Sequence, residues 1–168
     1  SEPGSIKCQS CDAGTFSNTQ GEACQSCGPG KYRPSMSMGS NGMIPTDPTT
    51  CVDCPAGWSS EAGSIKCQSC DAGTFSSVIG APCGNCPAAT YRQRNTDPTK
   101  CVDCPTGWSS VKGSTKCQAC GAGTYGDGCK TCPLGYARGA SDLDVTKCGL
   151  CKLGETTYSI GSASCELW

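Results

Sequence analysis

The sequence contains no histidine. That absence removes the usual general base, the side chain that titrates near neutrality and the commonest metal ligand. Neither a Ser–His nor a Cys–His nucleophilic site can be assembled without it. Large aliphatic side chains are scarce as well: Val, Ile, Leu and Phe together supply 17 of 168 residues, about 10%, where a globular core normally needs more than double. One continuous apolar core cannot hold such a chain together. No apolar run approaches the roughly 18–20 residues of a membrane span, so direct membrane insertion is not expected in this segment. The 13 basic and 14 acidic side chains balance to −1 and form no block of one sign, which argues against a nucleic-acid partner. None of Asn18, Asn41, Asn85 and Asn95 begins an Asn-x-Ser/Thr sequon, so N-glycosylation is not expected. Position 1 is Ser and no signal-peptide pattern follows; the expectation is a processed or excised piece of a secreted protein.

What the chain does have is cysteine, 19 of them, with 23 Gly and 11 Pro. Cysteine at this density means an oxidised disulfide framework or a thiolate–metal protein. The residues fall in CxxC pairs: Cys8/Cys11, Cys24/Cys27, Cys51/Cys54, Cys67/Cys70, Cys83/Cys86, Cys101/Cys104, Cys117/Cys120, Cys129/Cys132 and Cys148/Cys151, with Cys165 alone. Nine short modules in tandem constitute a repeat. Three residues after the second Cys of a module stands Gly14, Gly30, Gly57, Gly73, Gly107, Gly123, Gly135 or Gly154, with Ala89 the exception. One or two residues later comes an aromatic in eight modules (Phe16, Tyr32, Trp58, Phe75, Tyr91, Trp108, Tyr125, Tyr136), delayed to Tyr158 in the ninth. The Gly suits a tight turn, and the ring is expected to cover the disulfide.

A longer period is superimposed. Gln9–Phe16 returns unchanged as Gln68–Phe75, and CVDCPAGWSS from Cys51 returns as CVDCPTGWSS from Cys101. The modules therefore run A-B-C three times, giving triplets over 1–66, 67–116 and 117–168, the last with a degenerate terminal module. If the second Cys of each module joins the first Cys of the next, the pairs are Cys11–Cys24, Cys27–Cys51, Cys54–Cys67, Cys70–Cys83, Cys86–Cys101, Cys104–Cys117, Cys120–Cys129, Cys132–Cys148 and Cys151–Cys165. Cys8 is then unpaired or bonded outside this sequence. The rival scheme joins modules two by two, first Cys with first and second with second; it fits triplets poorly and strands Cys151. Sequential pairing is the favoured expectation, each bridge contributing about 3 kcal/mol by loop closure.

The string Cys-x-x-Gly-Thr-[Phe/Tyr], closing on another Cys downstream, resembles the ephrin-receptor-like cysteine-rich repeat. More loosely it is similar to the second half of an EGF-like module and to tumour necrosis factor receptor modules. The resemblance runs from Cys8 to Cys165. It implies extracellular or cell-surface spacers, adhesive stalks or ligand-binding rods, and function drawn from it is analogy. The expected fold is small and disulfide-rich: short β-turn and β-hairpin modules stapled in sequence into an elongated rod, each touching only its neighbours, with almost no helix. Pro after the second Cys (Pro55, Pro87, Pro105, Pro133) opposes helix.

The functional expectation is a non-enzymatic, secreted structural or adhesive segment without cofactor, able to self-associate or to bind an extracellular protein or glycan, and plausible as part of a filament. A ligand-binding receptor ectodomain is the alternative, and a multi-site zinc–thiolate protein the second alternative. The second module carries an insertion with Met36, Met38, Met43 and Ile44, either a docking loop or a floppy excursion. Arg33, Arg92, Arg94 and Arg138 follow the ring of each B module, as a periodic contact to an acidic partner or saccharide or, more simply, as solvated surface. Thr46, Thr49, Thr50, Thr96 and Thr99 flank Pro and are candidate O-glycosylation sites, or else plain turn residues. Asp142-Leu143-Asp144 is a weak calcium candidate against a solvated loop.

Overall fold

The structure is a computed structural model that describes residues 10–19, 21–39 and 42–168. Among the described residues there is no helix, and strands of two residues form antiparallel pairs. The local cause is legible in each module. Asp12-Ala13-Gly14-Thr15 closes a β-turn through a Thr15 N–H to Asp12 C=O bond of 3.0 Å, with Gly14 at φ +81°, as the third position of a type II turn demands. Pro55-Ala56-Gly57-Trp58 repeats it, at 3.0 Å and φ +81°. The Gly carbonyl then accepts the N–H of the next module's second Cys (Cys27 to Gly14, Cys70 to Gly57, both 2.8 Å). The aromatic position leads into the hairpin.

Two compact units are present. One comprises Ser1–Asp71, Phe75–Gly84 and Asp97–Lys100; the other comprises Ala72–Thr74, Asn85–Thr96 and Cys101–Trp168. In the first, Thr15–Phe16 pairs with Gln25–Ser26, Lys31–Tyr32 with Val52–Asp53, and Trp58–Ser59 with Gln68–Ser69. In the second, Thr90–Tyr91 pairs with Val102–Asp103, Trp108–Ser109 with Gln118–Ala119, and Thr124–Tyr125 with Lys130–Thr131. Tyr136–Ala137 with Gly149–Leu150 and Glu155–Thr156 with Glu166–Leu167 complete it.

Nine disulfides join the second Cys of one module to the first of the next, in the sequential order Cys11–Cys24 through Cys151–Cys165. Cys8 lies outside the described residues. The sulfurs are the core: Cys27, Cys54, Cys86 and Cys132 are fully buried. The rings are not. Trp58 and Trp108 stay 40% exposed, and Phe16, Tyr32, Phe75, Tyr91 and Tyr125 are half-buried.

Contacts also reach further than the adjacent module. A Cβ on Gly14 would collide with the Gly63 carbonyl oxygen, two modules on; Gly30 stands in the same relation to Gly80, Gly73 to Gly113 and Gly123 to Gly161. Gly57 faces the Pro98 ring and Gly107 the Val145 side chain. The expectation of nearest-neighbour contact alone is therefore corrected. A turn without a Cβ leaves room for a later loop, and that loop fills it. Ala89 takes the Gly position at φ +63°. By the repeat, the loop that would cover it is the shortest one, Cys120–Cys129, at a separation of 9 residues.

Candidate functional site

The charged groups buried with the sulfurs are three arginines, with Ser76 and Thr157 buried as uncharged polar residues. Arg33, Arg92 and Arg138 are 3%, 2% and 2% exposed, so neither a surface contact nor a solvated face describes them; that reading is corrected. Arg138 donates from Nε to the Thr124 carbonyl at 2.7 Å, from Nη2 to the Cys120 carbonyl, and from Nη1 to the Gly139 carbonyl at 3.4 Å. Arg33 does the same two triplets earlier, to the carbonyls of Thr15, Cys11 and Asp12, with Nη1 on Thr46 Oγ1 at 3.3 Å. Arg92 Nε reaches the Thr74 carbonyl and its Nη1 the Thr96 carbonyl at 3.1 Å. Five fixed donors make guanidinium the side chain that can satisfy several main-chain oxygens at once. Each A-to-B junction is thus clamped by a cation amid carbonyl dipoles, and among the described residues no buried side-chain N or O lacks a partner. Arg94, two residues beyond Arg92, is exposed.

Three Asp-x-Thr turns recur in the B modules. Asp47, Asp97 and Asp144 each accept from the N–H and Oγ1 of the Thr two residues on, at 2.8 and 2.6 Å, 2.9 and 2.6 Å, and 2.9 and 2.5 Å. The Thr hydroxyl first, then the Thr amide, holds all three carboxyls below their ordinary range. The candidate glycosylation hydroxyls are largely committed. Thr49 and Thr99 serve these turns, Thr96 donates to Gln93 C=O at 2.7 Å, and Thr46 donates to Pro34 C=O. Thr50 is exposed.

Of the calcium candidates, Asp144 is the third Asp-x-Thr turn and Asp142 accepts the Gly139 N–H at 2.6 Å. The 18 described cysteines lie in bridges, and a disulfide sulfur is not a thiolate, the species that binds zinc. The described residues show no group of three or more His, Cys, Asp or Glu placed to hold a metal ion, and no helix among them is long and apolar enough to cross a membrane. The Met-rich insertion is a hairpin with the longest strands, Met36–Gly39 on Gly42–Pro45, with Met38 opposite Met43 and Ser37 opposite Ile44. Met36 is 38% exposed, and the side chains of Met38, Met43 and Ile44 lie outside the described residues.

The loop glycines escaped the sequence reading. Gly63, Gly113 and Gly161 stand four residues before Cys67, Cys117 and Cys165, and Gly21 and Gly80 three before Cys24 and Cys83; that second periodicity is the signal that locates them. No protein-family model and no curated protein matches the chain.

Proposed function

We propose that this chain is a non-enzymatic structural segment of an extracellular protein, a tension-resisting stalk of the kind its resemblance to ephrin-receptor-like repeats implies. The dense disulfide pattern itself marks a cysteine-rich repeat protein of an oxidising compartment. The observation that carries the finer reading is the order of the bridges. Each closes a loop of 9 to 24 residues in sequence separation, and consecutive bridges are separated by the two residues inside a CxxC. A pull along the chain therefore passes from sulfur to sulfur, and the loops are bypassed. Buried guanidiniums and sulfurs supply cohesion without an apolar core.

Single-molecule extension tests this. The oxidised chain should yield a small fraction of the roughly 3.3–3.6 Å per residue of a free chain, and reductant should release the remainder. Full extension without reductant would contradict the stalk. Capture of a defined soluble ligand by the monomer would favour the receptor reading instead.

A further inference from the structure

The seventh module closes its loop over fewer residues than the other A modules. Cys120 and Cys129 are 9 apart in sequence, where Cys11–Cys24 and Cys70–Cys83 are each 13 apart. The short loop is also pinned before it reaches its bridge. Gly126 N–H donates to the Val145 carbonyl at 3.0 Å, and the Gly126 carbonyl accepts from Gly107 N–H at 3.2 Å. In the fourth module Ser76 holds the same place and has residues 77–82 in which to return to Cys83; Gly126 has only Asp127 and Gly128. The return is made in a single turn, closed by Cys129 N–H on the Gly126 carbonyl at 3.2 Å with Gly128 at φ +72°. Cys129 is left at φ +56°, and no other described cysteine has a positive φ. An L side chain in that region is strained, and strained bridges are the ones that thiols open most readily.

Access and charge point to the same sulfur. Cys129 lines a cleft of about 490 Å³ with residues of the 109–116 loop, Gln118 and Ala119. Its partner Cys120 is 5% exposed, so a reagent in the cleft meets Cys129 and Cys120 is the leaving group. Lys116 lines the cleft too, and it belongs to none of the ion pairs, which are Lys31–Asp53, Lys100–Asp97 and Lys147–Asp144. Lys130 follows Cys129 directly, against the single acid of the loop, Asp127. Two ammonium groups beside one carboxylate favour an anionic reagent.

We propose that Cys129 is an S-thiolation site for a low-molecular-weight thiol of net negative charge. The entering thiolate attacks Cys129 Sγ, an S–S bond forms there, and the Cys120–Cys129 bond breaks. The entering sulfur is oxidised from thiol to disulfide as Cys120 is reduced to thiolate, so the exchange needs no other oxidant. The proton lost by the entering thiol reaches Cys120 through solvent, and Cys120 Sγ stands 3.5 Å from the Gly126 carbonyl, an acceptor for the new S–H. Opening is local. The pairing of Thr124–Tyr125 with Lys130–Thr131 and the Arg138 bonds to the Thr124 and Cys120 carbonyls hold the module without its bridge. This site goes beyond the stalk reading and does not rest on it.

The test exposes the full oxidised chain to a small excess of glutathione, quenches with acid, alkylates the free thiols and maps both labels by mass spectrometry. Glutathione should appear on Cys129 with Cys120 alkylated, about tenfold ahead of adducts at Cys24 or Cys83. K116Q should slow addition of glutathione and leave addition of neutral mercaptoethanol unchanged. Replacing Asp127-Gly128 by the Ser77–Pro82 segment gives the seventh module the loop of the fourth and should bring Cys129 down to the rate of Cys83. No adduct, adducts spread evenly over the bridges, or an adduct on Cys120 in place of Cys129 overturns the proposal. So does a K116Q effect that is the same for both thiols, or a preference that survives in the lengthened loop.

Discussion

Arg138 Nε donates to the Thr124 carbonyl at 2.7 Å across 14 residues of sequence, and the same bond joins Arg33 to Thr15 and Arg92 to Thr74. A buried guanidinium whose donors all end on fixed oxygens is costly to cut short, because the carbonyls stay buried when the donors go. Arg138→Ala should therefore lower stability by about 2–4 kcal/mol in oxidised denaturant unfolding. Arg138→Lys should recover little of it, since an ammonium is one point of charge rather than a planar fork. A loss below about 0.5 kcal/mol, as for a surface residue, would contradict the clamp.

Gly73 and Gly135 share a backbone conformation, φ +80° and +79°, but differ in cover: Gly113 carbonyl oxygen lies over the first and nothing over the second. Ala at either costs about 1–2 kcal/mol of left-handed strain. Gly73→Ala adds a backbone collision and should cost about 1–3 kcal/mol more. Thermal unfolding of the two variants in dilute solution separates the terms, and equal losses would remove the two-module contact.

How much of this was legible beforehand follows from the kind of signal. The CxxC spacing, with Cys165 as a terminal partner, carries the bridge order because each closure is a local event along the chain. The turns were readable at Gly14 and Gly57 because φ > 0 is written in the residue type. Arg33, Arg92 and Arg138 were visible as a period but misplaced on the surface: nothing in a sequence says that a cation's counter-dipoles are carbonyls. The rings, expected over the bridges, stay partly exposed, Trp58 and Trp108 at 40%. Gly63 and Gly80 went unread because their role is to meet a module far along the chain.

The Asp97 turn makes a pH prediction. The Thr99 hydroxyl and amide favour the ionised carboxyl and set it below its ordinary value near 3.8. A carboxyl depressed in the fold contributes above its unfolded value, and the contribution is lost as pH falls through the folded one. Thr99→Val should raise the Asp97 midpoint in an NMR titration, and Thr99 amide protection should then fade at higher pH than in wild type. An unmoved midpoint would take the hydroxyl out of the account.

Opening one bridge should loosen a stretch wider than two modules. Replacing Cys54 and Cys67 by Ser removes one loop closure, about 3 kcal/mol, from a region where Gly30 meets the Gly80 loop and Gly57 meets Pro98. Hydrogen exchange should quicken from the second module to the fifth and leave Gly123 N–H, bonded to the Arg138 carbonyl at 2.7 Å, unchanged. Exchange that quickens throughout would replace the modular picture with one cooperative globule.

The loop closures and the modules they define depend on which sulfur meets which. Disulfide mapping by mass spectrometry on the unreduced chain, digested at low pH to suppress exchange, should give nine links, each from the second Cys of one CxxC to the next cysteine in sequence, from Cys11–Cys24 to Cys151–Cys165. Peptides linking Cys24 to Cys8, or a majority of free thiols, would contradict the account.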